Sequence, residues 1–231
     1  MVAQVKDPLI LPPTRSQTTP LYQVLGRRIF DQFDWWQYFN LEIQRAPDFP
    51  WDTAQLEAPC PIYPGYQVAE THFAFLGVSA FNGKPLTIQH WREIAGDRFY
   101  VGDEFYCRHN GDRAWYEAQA FANRPTCTAR WYLLPILSHA LPFPSRATDS
   151  SLISLPKKYV SVSTVEMATA LLLFQEKQGH LPWPDKRLST SDECWFYTKT
   201  CVGNRDGRIW IDTCQKDDVS SQLGMAVQRL P

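Results

Sequence analysis

Apolar residues at Leu21, Leu25, Ile29 and Phe33 recur every fourth position, so part of residues 21–40 is predicted helical. The aromatic cluster Phe33, Trp35, Trp36, Tyr38 and Phe39 closes that stretch. Residues 46–66 carry Pro47, Pro50, Pro59, Pro61 and Pro64 and are expected to be irregular, because each proline removes a backbone donor. The run from Thr71 to Val78 is predicted as a buried strand, followed by a turn at Asn82-Gly83. Thr87 is placed to cap a short helix whose Ile88, Trp91 and Ile94 share a face and which Gly96 closes. Residues 98–107 and 113–121 flank Asn110-Gly111-Asp112 and predict a hairpin, since those turn residues tolerate positive φ. A further strand is expected over 128–134 and a loop over 140–156.

The pattern sharpens toward the C-terminus. Ser163-Thr164-Val165-Glu166 matches a capping box, and Ala168, Leu171, Leu172 and Gln175 give the helix behind it a partly apolar face. Gly179 is predicted to stop that helix, and the residues from His180 to Asp185, with two prolines, to form a sharp loop. Three short strands are expected near 194–202, 207–213 and 223–230. Within the second, Arg208, Trp210 and Asp212 share one parity and Ile209 and Ile211 the other. Side-chain alternation therefore predicts a mixed aromatic and charged face over a buried isoleucine pair. Domain organisation follows as an extended arm over 1–20, a helical and irregular extension over 21–95 packed on a module, and the module itself over 96–231.

Composition narrows the class. The 231 residues fit one large domain or one domain with an appendage, and 14% aromatic content against 20% charged argues for a folded chain. Net charge is −1, without the basic excess that binding double-stranded DNA calls for. The longest unbroken apolar stretch is the five residues 170–174, too short to span a membrane. No signal peptide is readable, so a cytoplasmic or virion location is expected. Cys60, Cys107, Cys127, Cys194, Cys201 and Cys214 are then expected as reduced thiols, with pairing among the last three left open for an oxidising setting.

Catalytic signatures are absent at the motif level: no phosphate-binding glycine loop, no dinucleotide fingerprint, no paired-histidine zinc motif. Gly77-Val78-Ser79-Ala80-Phe81 approaches a nucleophile elbow but has Phe81 at the second glycine position. Cys107 and His109 have no second ligand pair at zinc spacing, so neither metal nor cofactor is expected. Asp103 and Glu104, adjacent on a predicted strand, point to opposite faces and cannot work as an acid–base pair. Trp35, Trp36, Trp91, Trp115, Trp131 and Trp183 sit among apolar neighbours and are expected in the core. Near the chain end, Trp195, Tyr197, Asn204, Arg205, Asp206, Arg208, Trp210, Asp212, Gln215, Lys216, Asp217 and Asp218 mix aromatic, arginine and small polar groups. That mixture is the composition of binding hot spots, and also of a solvated strand edge.

The order of a capped helix, Pro182-Trp183-Pro184-Asp185, short strands around Gly203 and Gly207, and a closing Gly224-Met225-Ala226-Val227-Gln228-Arg229 resembles the formylglycine-generating-enzyme branch of the C-type lectin-like fold. Ser163 and Glu166 fit the Thr and Glu of that branch's helix motif. Val160 and Val162 stand at its Arg and Pro, and Met225 and Ala226 at its closing Phe-Arg. The resemblance covers residues 155–231 and implies an α+β fold with short twisted antiparallel strands, two or three helices and long loops. It implies a non-enzymatic module binding a protein or cell-surface ligand through 195–222, as in the variable proteins of diversity-generating retroelements, phage receptor-binding proteins among them. The extension would pack on the module or mediate homo-oligomerisation. Two alternatives stand beside it: an oxidase of the formylglycine-generating type using Cys201 or Cys214, and an assembly protein docking through its proline-rich arm.

Overall fold

A computed structural model describes residues 20–100, 115–123, 127–137, 139–142, 155–194, 198–215 and 222–231. The arm over 1–19, the Asn110-Gly111-Asp112 turn, Asp103 with Glu104, Cys107 with His109, and most of the loop over 140–156 lie outside the described residues.

The described chain is mixed α+β, with seven α-helices and several small sheets. Helix α1 (Pro20–Leu25), strand β1 (Ile29–Phe30) and helix α2 (Gln32–Phe39) replace the single four-residue periodicity expected over 21–40. Gly26 adopts φ 55° and closes α1, after which β1 pairs in parallel with β2 (His72–Leu76). Ile29 and Leu25 keep their spacing because both enter one apolar cluster, with Trp51, Leu56 and Val68. Asp31 and Asp34 form the capping box of α2, and Asn40 ends it in the left-handed conformation. Helices α3 (Thr53–Glu57) and α4 (Val68–Thr71) bracket the proline-rich stretch.

Strand β2 is buried at every position, as predicted, and leads to the hairpin of β3 (Ala80–Phe81) and β4 (Lys84–Pro85) around Asn82-Gly83. Ser79 is exposed and enters this hairpin, so no strand-to-helix nucleophile elbow is formed. Thr87 caps α5 (Ile88–Ala95), with Trp91 fully buried. Residues 115–118 form a 3-10 turn and 120–123 the helix α6 (Ala120–Asn123), where a strand was expected. Tyr116, Phe121 and Ala122 bury themselves there from helical turns rather than from strand alternation, and an Arg92–Glu117 ion pair ties the segment to α5. Strand β5 (Trp131–Pro135) completes the order β1-β2-β5, with Phe75 stacked on its cross-strand partner Tyr132 at 4.9 Å.

Strand β6 (Tyr159–Ser161) precedes helix α7 (Thr164–Gln178). The Ser163 and Glu166 side chains close the predicted capping box, and Gly179 ends the helix at φ 82°. Eleven residues of α7 are buried, among them Met167, Leu171, Leu172, Leu173 and Phe174. The helix is apolar nearly all round, not on one face, because it touches β1 and β2 on one side and the last sheet on the other. At its start the Thr164, Thr190 and Thr200 hydroxyls bond to one another at 2.8–3.1 Å, joining helix to sheet.

The last sheet has the order β10-β7-β8-β9, from β7 (Lys186–Glu193), β8 (Thr198–Arg205), β9 (Arg208–Gln215) and β10 (Leu223–Met225). Strand β11 (Val227–Arg229) pairs with β6. One apolar core runs from Phe30 and Trp35 through Phe73 and Trp91 to α7 and on to Val202, Ile209 and Ile211.

Two further expectations are corrected here. The β8–β9 turn is Asp206-Gly207, with φ 52° and 73°, a mirror-image turn that matches strand twist; the strands therefore run through Gly203–Arg205 instead of breaking there. Cys201 and Cys214 are not reduced thiols but form a disulfide. Antiparallel register sets Cys201 opposite Asp212 and Cys214 opposite Lys199, so the two cysteines are diagonal neighbours on one face, with Cα atoms 6.2 Å apart. Cys60, Cys127 and Cys194 are free.

Candidate functional site

The β7–β8–β9 register sorts side chains onto two faces. Leu188, Thr190, Val202, Ile209 and Ile211 turn inward against α7 and are buried. Arg187, Cys201, Gly203, Arg205, Arg208, Trp210 and Asp212 lie on the other face. Arg208 is exposed, Trp210 and Asp212 are half-buried, and the isoleucines between them are buried, as the alternation predicted.

Trp210 is the centre of this outer face. Arg187, Gly203 and Trp210 occupy one cross-strand row. Gly203 has no side chain to intervene, and a Cβ there would meet the Lys186 carbonyl oxygen at 2.0 Å. The Arg187 guanidinium lies 4.8 Å from the Trp210 ring and donates to an Asp212 carboxylate oxygen at 2.6 Å. From the turn side, the Arg205 guanidinium stands 4.9 Å from the same ring and 4.8 Å from Tyr100. Tyr100 is held beside β9 by its N–H donating to the Ile209 carbonyl at 2.8 Å. A ladder results: Asp212, Arg187, Trp210, Arg205, Tyr100. Contrary to expectation, Trp210 is flanked by arginines from its own chain, and the Asp212 charge is already paired within it.

What the face has left over is donors. Among the described residues no carboxylate pairs with Arg205 or Arg208. Trp35, Trp91, Trp131 and Trp183 each donate the indole N–H to an acceptor of this chain, and among the described residues none takes that of Trp210.

The other predicted site residues divide. Asn204 is 4% exposed and faces inward: its amide donates to the Pro182 carbonyl at 2.9 Å and its oxygen accepts the Gly207 N–H at 3.0 Å. It fixes the turn and leaves the predicted face. Asp206, exposed in the turn, lines a cleft of about 390 Å³ with Gln175, His180, Asp185 and Gly207 at the end of α7. Gln215 ends β9. Trp195, Tyr197, Lys216, Asp217 and Asp218 lie outside the described residues.

Arg187 and Tyr100 were missed. Strand β7 reads Lys-Arg-Leu-Ser-Thr-Ser-Asp-Glu, too polar to be recognised as a strand with partners on both sides. Its one signal is the alternation of Leu188 and Thr190, the two positions that are buried.

The most perturbed ionisable group is elsewhere. His72 is fully buried; its Nδ1 donates to the Val68 carbonyl at 3.1 Å, so Nε2 accepts the Tyr159 hydroxyl at 2.9 Å. Burial first, then the Arg229 charge, lowers its pKa to about 3, and burial raises that of Tyr159. Such a neutral, enclosed imidazole is a packing element.

Among the described residues no group of three or more His, Cys, Asp or Glu side chains is arranged to hold a metal ion, and no helix is long and apolar enough to cross a membrane. Compared with family models, curated proteins and solved structures, the chain matches none.

Proposed function

We propose that this chain is a non-enzymatic binding module on a C-type lectin-like scaffold of the formylglycine-generating-enzyme branch, receiving a protein or cell-surface ligand on the outer face of its last sheet. The observation that carries this reading is Trp210, held half-buried between two guanidiniums while the indole N–H and two of the face's three arginines have no acceptor in the described chain. A large aromatic ordered in advance, with unspent donors around it, costs little entropy to engage. Support for the scaffold is the order of capped helix, Pro-Trp-Pro loop and short-stranded sheet. The oxidase alternative loses its nucleophile, because Cys201 and Cys214 are bonded to each other and buried.

The test is a random-peptide display selection on the full chain, read in parallel on Trp210→Ala. Selected peptides are expected to lose about 2 kcal/mol or more of binding, roughly thirtyfold in Kd, as hot-spot truncations do. The melt of the variant should fall only slightly, since an exposed cation–π contact contributes about 0.5–1 kcal/mol. Peptides that bind Trp210→Ala as well as the parent chain would remove the face from the proposal.

A further inference from the structure

We infer that the outer face of the last sheet takes an acidic polypeptide segment, its carboxylates received by Arg205 and Arg208 on either side of the β8–β9 turn and its chain running across Trp210; this rests on the binding-module reading above. Charge comes first. Arg187, Lys199, Arg205 and Arg208 share this face with the carboxylates of Asp212 and Glu193 among the described residues, and Asp212 is occupied by Arg187. Arg205 and Arg208 are directly cross-strand, so two like charges sit together at the turn, an arrangement that raises the folded state's energy until an anion intervenes.

The donor geometry then selects the class of anion. A guanidinium offers a planar fork that carboxylates match two bonds at a time. The Arg205 fork is held by its contacts with both Trp210 and Tyr100, so little rotamer entropy is left to lose on binding.

Stacking ligands are disfavoured by the same contacts. Sugars and nucleobases engage an indole through a free ring face. Arg187 and Arg205 both lie within 5 Å of the Trp210 ring, which leaves its edge and N–H for hydrogen-bonding and van der Waals contact. An extended peptide supplies both needs, with backbone carbonyls for the indole N–H and Asp or Glu side chains for the arginines. Overall charge agrees: a chain of net −1 has no general attraction for polyanions, so attraction here is confined to the patch.

The display selection decides it. Peptides enriched on the full chain are expected to be rich in Asp and Glu. Synthetic copies should weaken at least tenfold on Arg205→Gln and severalfold on Arg208→Gln, and should weaken further between 50 and 300 mM salt. Arg208 is exposed and unpaired, so its variant reports binding even where Arg205→Gln disturbs the ladder. Peptides that need Trp210 but carry no acidic bias would leave the binding face standing and overturn its assignment to an acidic partner. Acidic peptides indifferent to both arginine substitutions would overturn it too. Heparin or oligothymidine bound in preference to the acidic peptides would make the face a site for another polyanion. An absence of Trp210-dependent peptides would remove both readings.

Discussion

At the scale of single residues, the groups buried deepest and the groups left at the surface work in opposite ways. His72 is neutral in the folded chain down to about pH 3, whereas in the unfolded chain it takes a proton near pH 6.5. Its folded pKa lies below its unfolded one, so the unfolded state binds the extra proton. The stability this gives is complete above about pH 6.5 and is lost progressively as pH falls toward 3. Between pH 7 and 5, urea midpoints of the parent chain should fall more steeply than those of His72→Gln, by at most about 1.4 kcal/mol per pH unit. Parallel slopes for the two proteins would place the acid sensitivity in other groups. Trp210 is the counterpart at the surface, expected to matter for capture and little for the melt.

At the scale of elements, the disulfide between β8 and β9 changes what the hairpin needs in order to form. A crosslink closing a loop of this size, with cysteines 13 positions apart, contributes about 3 kcal/mol by limiting the unfolded chain. Cys201→Ser with Cys214→Ser should lower the unfolding free energy by that amount, and a thiol reductant should bring the parent chain to the same value. A denaturation curve insensitive to reductant would contradict the bond. Neither cysteine advertised the pairing in sequence, because their relation is set by register: only with the turn at Asp206-Gly207 do they become diagonal neighbours. Elements whose ends are written in local chemistry were legible. Ser163 with Glu166, Thr87, Gly179 and Asn82-Gly83 each act through their own backbone, and each is where it was expected. Elements defined by distant partners were not. Strand β7 is polar because one of its faces looks outward, and β1 has only two residues, which a neighbour in parallel holds in place. The candidate face was read in part for the same reason: the Arg208–Trp210–Asp212 alternation is local, while the arrival of Arg187 and Tyr100 is tertiary.

For the whole molecule, the contact that binds the N-terminal region to the last helix is a buried ion pair between Lys177 of α7 and Asp34 of α2, reinforced by Arg27 donating to the Lys177 carbonyl at 2.5 Å and Gln178 to the Arg27 carbonyl at 2.8 Å. Burial holds the Asp34 carboxyl above its usual range while the lysine opposes that rise. Removing one partner strands the other charge, so Lys177→Met should cost about 3–5 kcal/mol. Adding Asp34→Leu should recover most of it, since apolar pairs replace buried ion pairs at little cost. The double-mutant cycle in chemical denaturation measures this; equal losses in the single and double variants would show that the pair is not coupled.

Strands β10 and β11 have a consequence for synthesis. Leu223–Met225 joins β7 in parallel, Val227–Arg229 closes on β6, and Ala226 between them bonds to both Val162 and Ser189. The strands they complete lie 36 to 70 positions earlier in the chain. A ribosome therefore releases β6, α7 and β7 well before their last partners have left the exit tunnel. Until they emerge, Leu188 and Val162 have incomplete cover, and a nascent chain paused upstream of Leu223 would present them to chaperones.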